Sequence, residues 1–167
     1  MKKILALILL GAGVNSYAAD PVYIDANIGV NTSWNSLGLN ADIGYMFNKY
    51  FAVEGGFTYS PGYTYNYGYA SSYSSSYSMF DVAAKGTLPL SNVFDLYGKL
   101  GIGFNNYSTW NGCNGCSGPG YYNSNVGILY VVGGQFHLAR NWSLHLEDYT
   151  VTGPNPNFLM FGAQYNF

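Results

Sequence analysis

Ser143, His145 and Glu147 bring a nucleophile, a base and a carboxylate close together, the side-chain types of a hydrolytic triad. Their spacing argues against one. At alternate positions of a strand they share a face, but each step separates them by roughly 7 Å, beyond hydrogen-bond reach without help from another strand. No catalytic residue is assigned. Cys113 and Cys116 form a C-x-x-C inside the run from Asn111 to Gly118. Zinc would need further ligands, and neither a His nor a second Cys pair is nearby. A redox motif would normally open a helix beside a sheet. A local disulfide is expected if the compartment is oxidising, with a small stabilising effect because the loop is short. No metal or cofactor is expected.

The remaining chemistry-bearing residues are Asp42, Glu54, Asp81, Lys85, Lys99, His145 and Glu147. Each falls on the polar side of an alternating pattern. Together they read as an enclosed network that must pair internally, and a structural plug is preferred to a gated conduction path.

What positions them follows from composition. Charged residues make up only 8% of the chain and aromatic residues 19%, with Tyr 18 times and Gly 22 times in 167 residues. Roughly a quarter charged is usual for a soluble domain. Mean hydropathy is nevertheless only +0.02. Helical membrane spans need about 20 consecutive apolar residues, and only the N-terminus approaches that. A barrel in lipid averages out, because apolar outward residues alternate with polar inward ones. Lys2 and Lys3, the apolar stretch from Ile4 to Val14, and Ser16-Tyr17-Ala18 read as a Sec signal peptide. Cleavage is expected after Ala18, or after Ala19, leaving 19–167 as one barrel domain. The exported part keeps four bases, Lys49, Lys85, Lys99 and Arg140, against eight acids. That balance excludes a nucleic-acid partner.

Period-2 alternation runs from Val22 to the last residue. Eight strands are expected, near 22–31, 37–47, 51–59, 80–88, 94–104, 125–138, 142–151 and 159–167. Residues 60–76 and 106–122 show no alternation and are expected as long loops. Short turns follow the second, fourth and sixth strands. That alternation of short and longer connections is the habit of outer-membrane barrels. Tyr45, Phe47, Phe51, Phe94, Phe136, Trp142, Tyr165 and Phe167 fall at the turn ends of outward faces, as a periplasmic aromatic girdle would. Asp148 breaks the pattern by facing outward. It is expected to sit above the hydrocarbon at the loop end rather than to be re-aimed by a bulge. The fold class is all-β: a closed, antiparallel, eight-stranded, up-and-down transmembrane barrel, with no open edge in lipid.

Gly44-Tyr45-Met46-Phe47 with Phe51 to Phe57, Leu88-Pro89-Leu90-Ser91 with Phe94 to Gly101, and Asn141-Trp142-Ser143-Leu144 with Glu147 resemble the OmpA-like family that includes OmpX-type small barrels. The terminus Gly162-Ala163-Gln164-Tyr165-Asn166-Phe167 is similar to the family's G-x-x-aromatic-x-aromatic end, with Met160 where a polar residue is usual. The resemblance implies outer-membrane insertion, with Gly162, Tyr165 and Phe167 as the signal read by barrel-assembly machinery. It also implies a salt-bridge network in which Glu54, Lys85 and Glu147 take part.

The expected function is non-enzymatic: envelope structure, or adhesion to a host or surface ligand through external loops, in a monomer surrounded by outer-membrane lipid and lipopolysaccharide. Tyr63, Tyr65, Tyr67, Tyr69 and Tyr73 are the candidate binding loop, since Tyr with Ser, Gly and Asn is the composition binding loops favour. Tyr77 is grouped with them. A narrow pore or small-ligand barrel, and a lipid A-modifying enzyme, are the alternatives.

Overall fold

A computed structural model describes residues 21–62, 64–66, 71–113, 116–117, 120–153 and 157–167. The expected signal peptide lies outside them. The eight long strands are β1 (Val22–Asn31), β2 (Ser36–Asn48), β3 (Phe51–Ser60), β4 (Ser71–Pro89), β5 (Phe94–Cys113), β6 (Tyr121–His137), β7 (Trp142–Val151) and β8 (Phe158–Asn166). Each pairs antiparallel with the next in sequence, and β8 pairs with β1 from Tyr23 opposite Asn166 to Asn31 opposite Phe158. The sheet is therefore a closed barrel.

The closure is staggered. A path across opposite residues starts at Met46, whose N–H binds the Pro21 carbonyl. It runs through Ala52, Lys85, Lys99, Val131, Tyr149 and Phe158. It returns to β1 not at position 21 but at Asn31. A stagger of that kind tilts the strands, typically by 35–45°.

Alternation decides which side chains face lipid. Along β1, Ile24, Ile28 and Val30 are exposed while Tyr23, Asp25, Asn27 and Asn31 are buried. Ile43, Leu100 and Val132 are each at least 60% exposed, which a water-soluble sheet would not tolerate across every strand. At the short-turn end the girdle forms: Trp142 packs on Tyr165 at 4.9 Å and Tyr165 on Phe167 at 5.1 Å, ring to ring. The turns there are held by side-chain acceptors. The Asn48 Oδ1 takes the N–H groups of Tyr50 and Phe51, and the Ser91 Oγ takes those of Val93 and Phe94.

Two expectations are corrected. The stretches 60–76 and 106–122 are largely strand, not loop. β4 is 19 residues long and β5 is 20, pairing from Ser71 opposite Cys113 down to Pro89 opposite Asp95. Thr64–Asn66 adds a short strand against Ser72–Ser74. A lipid-length strand needs about 9–11 residues, so β4, β5 and β6 rise as a wall above their neighbours.

Asp148 is the second. It faces outward with no bulge, between Val132 on β6 and Leu159 on β8. It stands six residues beyond Trp142. At about 3.3 Å per residue and a tilt near 40°, that is roughly 15 Å above the girdle, inside an apolar band about 25 Å tall. Asp148→Leu should raise the stability of the lipid-embedded barrel by about 1 kcal/mol. A higher urea midpoint in vesicles is the readout, and an unchanged or lower midpoint would contradict the placement.

Candidate functional site

The lumen is filled in two layers. The lower layer is ionic. Lys99, from β5, lies 3.2 Å from Asp42, 2.8 Å from Glu54 and 3.2 Å from Glu147, while Lys85 lies 3.0 Å from Glu54 and donates to Gln164 at 3.2 Å. Tyr23 donates to Glu54 at 2.5 Å and Tyr97 to Glu147 at 2.8 Å, and Lys85 sits over both rings. These rings fit because the residues opposite them are glycines. A Cβ on Gly44 would collide with the Tyr23 ring, and one on Gly133 with that of Tyr97. An Asn27–Asn40 bond joins His145 and Asp25 to Asp42, with His145 2.5 Å from the Asn27 carbonyl and 3.3 Å from Asp25. Asp81 joins through Tyr149, which donates to it at 3.1 Å and accepts from Thr58 at 3.2 Å.

The upper layer is apolar. Met79, Leu129, Val131, Val151, Phe158 and Met160 are buried on inward faces, with Tyr77 and Tyr149 among them. Trp34 closes it from the β1–β2 turn, 6.1 Å from the Tyr77 ring and 5.3 Å from that of Tyr107. At the opposite mouth a cavity of about 90 Å³, lined by Tyr23, Lys85, Asp95, His137 and Gln164 among others, ends at the ionic layer.

The seven residues expected inside are all there, joined by neighbours the sequence reading passed over: Asp25, Asn27, Asn40, Thr58, Tyr23, Tyr97 and Tyr149. Their common signal is an inward position on the alternation. Ser143, His145 and Glu147 do not meet as a triad. The Ser143 hydroxyl instead lies 2.9 Å from His137 Nδ1, whose Nε2 is 2.8 Å from Asp95. Ser143 is only 1% exposed. Tyr77 is enclosed in the lumen and is not part of an external loop. Tyr65 stands opposite Tyr73, and Cys113 opposite Cys116. Tyr63, Tyr67 and Tyr69 lie outside the described residues. Met160 departs from the family's polar preference because it fills the apolar layer. A Cβ on Gly162 would collide with Asn27 and His145.

At the external end, no Asp, Glu, Lys, Arg or His occurs in residues 26–41, 55–80, 100–136 or 149–167. Trp110, Tyr121 and Tyr122 are more than half exposed on the tall wall.

A staggered eight-strand barrel with a lipid-facing apolar band, an aromatic girdle and a filled interior defines an integral outer-membrane protein. The chain belongs to the outer membrane protein beta-barrel domain family, whose model matches residues 4–167. No curated protein matches it. Among solved structures it is similar to Ail, the attachment invasion locus protein of Yersinia pestis. The two are 20% identical with a TM-score of 0.58, over 87% of this chain and 95% of that one. It is also similar to Neisserial surface protein A, at 13% identity and a TM-score of 0.69, over 90% and 100%. The N-terminal barrel of Pseudomonas aeruginosa OprF gives 12% and 0.60, over 89% and 99%. The likeness is one of fold, and the protein resides in the outer membrane.

Removing Lys99 would leave Asp42 and Glu147 without a cation and Glu54 with Lys85 alone. Lys99→Met is expected to lower stability by about 3–5 kcal/mol, seen as earlier heat-induced loss of the folded band in detergent gels. Bilayer current should stay at the wild-type level, because the apolar layer remains. Stepwise channel openings at undiminished heat stability would contradict the plug.

Proposed function

We infer that this protein is a non-enzymatic surface-interaction barrel, exported by removal of residues 1–18 and working as a monomer in contact with lipopolysaccharide. Its insertion would use recognition of Gly162, Tyr165 and Phe167 by the barrel-assembly machinery. The observation that carries the reading is the tall wall formed by β4, β5 and β6, which presents exposed Trp and Tyr with Ser and Asn, and no charge, above the membrane. Aromatic residues of this kind give large contact area at small entropic cost. The filled lumen speaks against a conducting pore, and the burial of the Ser143 hydroxyl speaks against hydrolysis. Cys113 and Cys116 are given no part beyond pinning the top of the wall, through a local disulfide we also propose.

One structure of Ail, 19% identical to this chain with a TM-score of 0.58 over 87% and 95% of the two chains, holds the heparin analogue sucrose octasulfate. A sulfated ligand of that kind suits this chain poorly, because Lys49 and Arg140 lie at the periplasmic turns and Lys85 and Lys99 inside. The partner is read instead as an uncharged surface, bound by aromatic contact and hydrogen bonds.

The test replaces Trp110, Tyr121 and Tyr122 together by Ser in cells displaying the full chain. Adhesion to cultured host cells and to abiotic surfaces should fall at least tenfold, while the folded band keeps its heat stability. Full adhesion by such cells would overturn the reading.

A further inference from the structure

The tall wall has an outer face, continuous with the face that meets lipid below. Even-numbered residues of β4, β5 and β6 point outward: Phe80, Phe104 and Val126 are exposed, while Met79 and Asn105 are buried. From Phe94 in the girdle to Phe104 is ten residues of β5. At about 3.3 Å per residue and a tilt near 40°, that rise is roughly 25 Å, the full height of the apolar band. The next outward residues are Asn106, Ser108 and Trp110. By the same measure Asn106 stands about 5 Å above the band and Trp110 about 15 Å. A second aromatic girdle would lie at the edge of the band. Trp110 is too high to belong to one.

Beside these residues β6 sets Ser124 opposite Asn106 and Tyr122 opposite Ser108, while β4 contributes only Ser78, Ser76 and Ser74. The Tyr122 and Ser124 hydroxyls both donate to Asn106 Oδ1, at 2.7 and 2.9 Å. Those two bonds fix the polarity of the cluster. Asn106 keeps two amide N–H donors that no described residue accepts, and each hydroxyl oxygen keeps its lone pairs. Donors and acceptors thus stand side by side with no charge among them. Trp110 is 56% exposed, and a Cβ on the neighbouring Gly120 would lie 3.7 Å from the indole. With Gly120 on one side and Ser74 on the other, the ring has no bulky neighbour to cover it.

We propose that this outer face is a binding site for a neutral oligosaccharide. A hexopyranose has the matching parts. Its vicinal hydroxyls can accept from the Asn106 amide and donate to the Tyr122 and Ser124 oxygens, and its C–H face can lie on an aromatic ring. Asn106 and Trp110 are separated by roughly 13 Å along β5, longer than one sugar ring. The ligand therefore runs along the strand, hydrogen-bonded at its lower end and stacked on Trp110 at its upper end. The sugars nearest the membrane in lipopolysaccharide carry phosphates and acids, and this face offers them no cation. The occupant is a glycan of the surface being contacted. This rests on the surface-interaction reading above and names its ligand class.

The experiment applies the full barrel, in phosphatidylcholine nanodiscs, to an array of neutral, sialylated and sulfated oligosaccharides, with empty nanodiscs as the control. Neutral hexose oligosaccharides should be retained. Deep-rough lipopolysaccharide, which ends at the acidic inner sugars, should not compete. Asn106→Asp still accepts from both hydroxyls but gives up the amide donors, and Trp110→Ala gives up the ring. Each should weaken binding at least tenfold while the folded band keeps its heat stability. Tyr121→Ser, on the other face of β6, should bind as wild type. No retained neutral glycan, retention of charged glycans alone, competition by that lipopolysaccharide, or unchanged binding by Asn106→Asp or Trp110→Ala would overturn the proposal. If no glycan is retained while the Trp110, Tyr121 and Tyr122 triple variant still loses adhesion, the ligand class is wrong and the surface reading stands.

Discussion

Hydrocarbon offers no hydrogen-bond partner to a peptide group, so a sheet in lipid must bond to itself all the way round. Most of this structure follows from that. Once β8 closes on β1, the number of strands and the stagger fix the bore, and the bore leaves room for side chains only. Every inward residue must then find its partner among other inward residues, while every outward one must be acceptable to acyl chains. Asp148 is the one charged group among the described residues that violates the outward condition.

The interior satisfies its own condition in two different ways at two depths. Near the periplasm, cations and carboxylates are interleaved, with Lys99 touching three acids and Tyr23 and Tyr97 lying in the space that Gly44 and Gly133 leave. Towards the exterior the same bore is filled with Met, Leu, Val and Phe. Buried ion pairs return little net stability against their desolvation, whereas their disruption is costly. The ionic layer thus fixes how the strands sit relative to one another, and the apolar layer contributes ordinary burial free energy.

The eight strands were legible because lipid on one side and a polar lumen on the other impose a two-residue period in hydrophobicity. The pattern fails where one of those two environments changes. Above the membrane both faces of β4 and β5 meet polar surroundings. Ser75 inside and Ser76 outside then look alike, and a paired strand reads as a loop. In the upper lumen both faces are apolar, and the run Ile128-Leu129-Tyr130-Val131-Val132 held that signal in plain view. The ionic residues were visible one by one. Lys99 as the hub was not, because which carboxylates it reaches depends on the stagger between distant strands. The same holds for Ser143, whose real neighbours, His137 and Asp95, lie on β6 and β5.

The absence of charge from the outward-facing end has a kinetic meaning. With no field to draw a partner in from a Debye length away, encounters at this surface proceed at the unsteered rate for docking two specific patches, about 10⁵–10⁷ per molar per second. The rate is then nearly the same in dilute and in concentrated salt. A wall of this kind meets a partner at a pace indifferent to the ionic strength of the water around it.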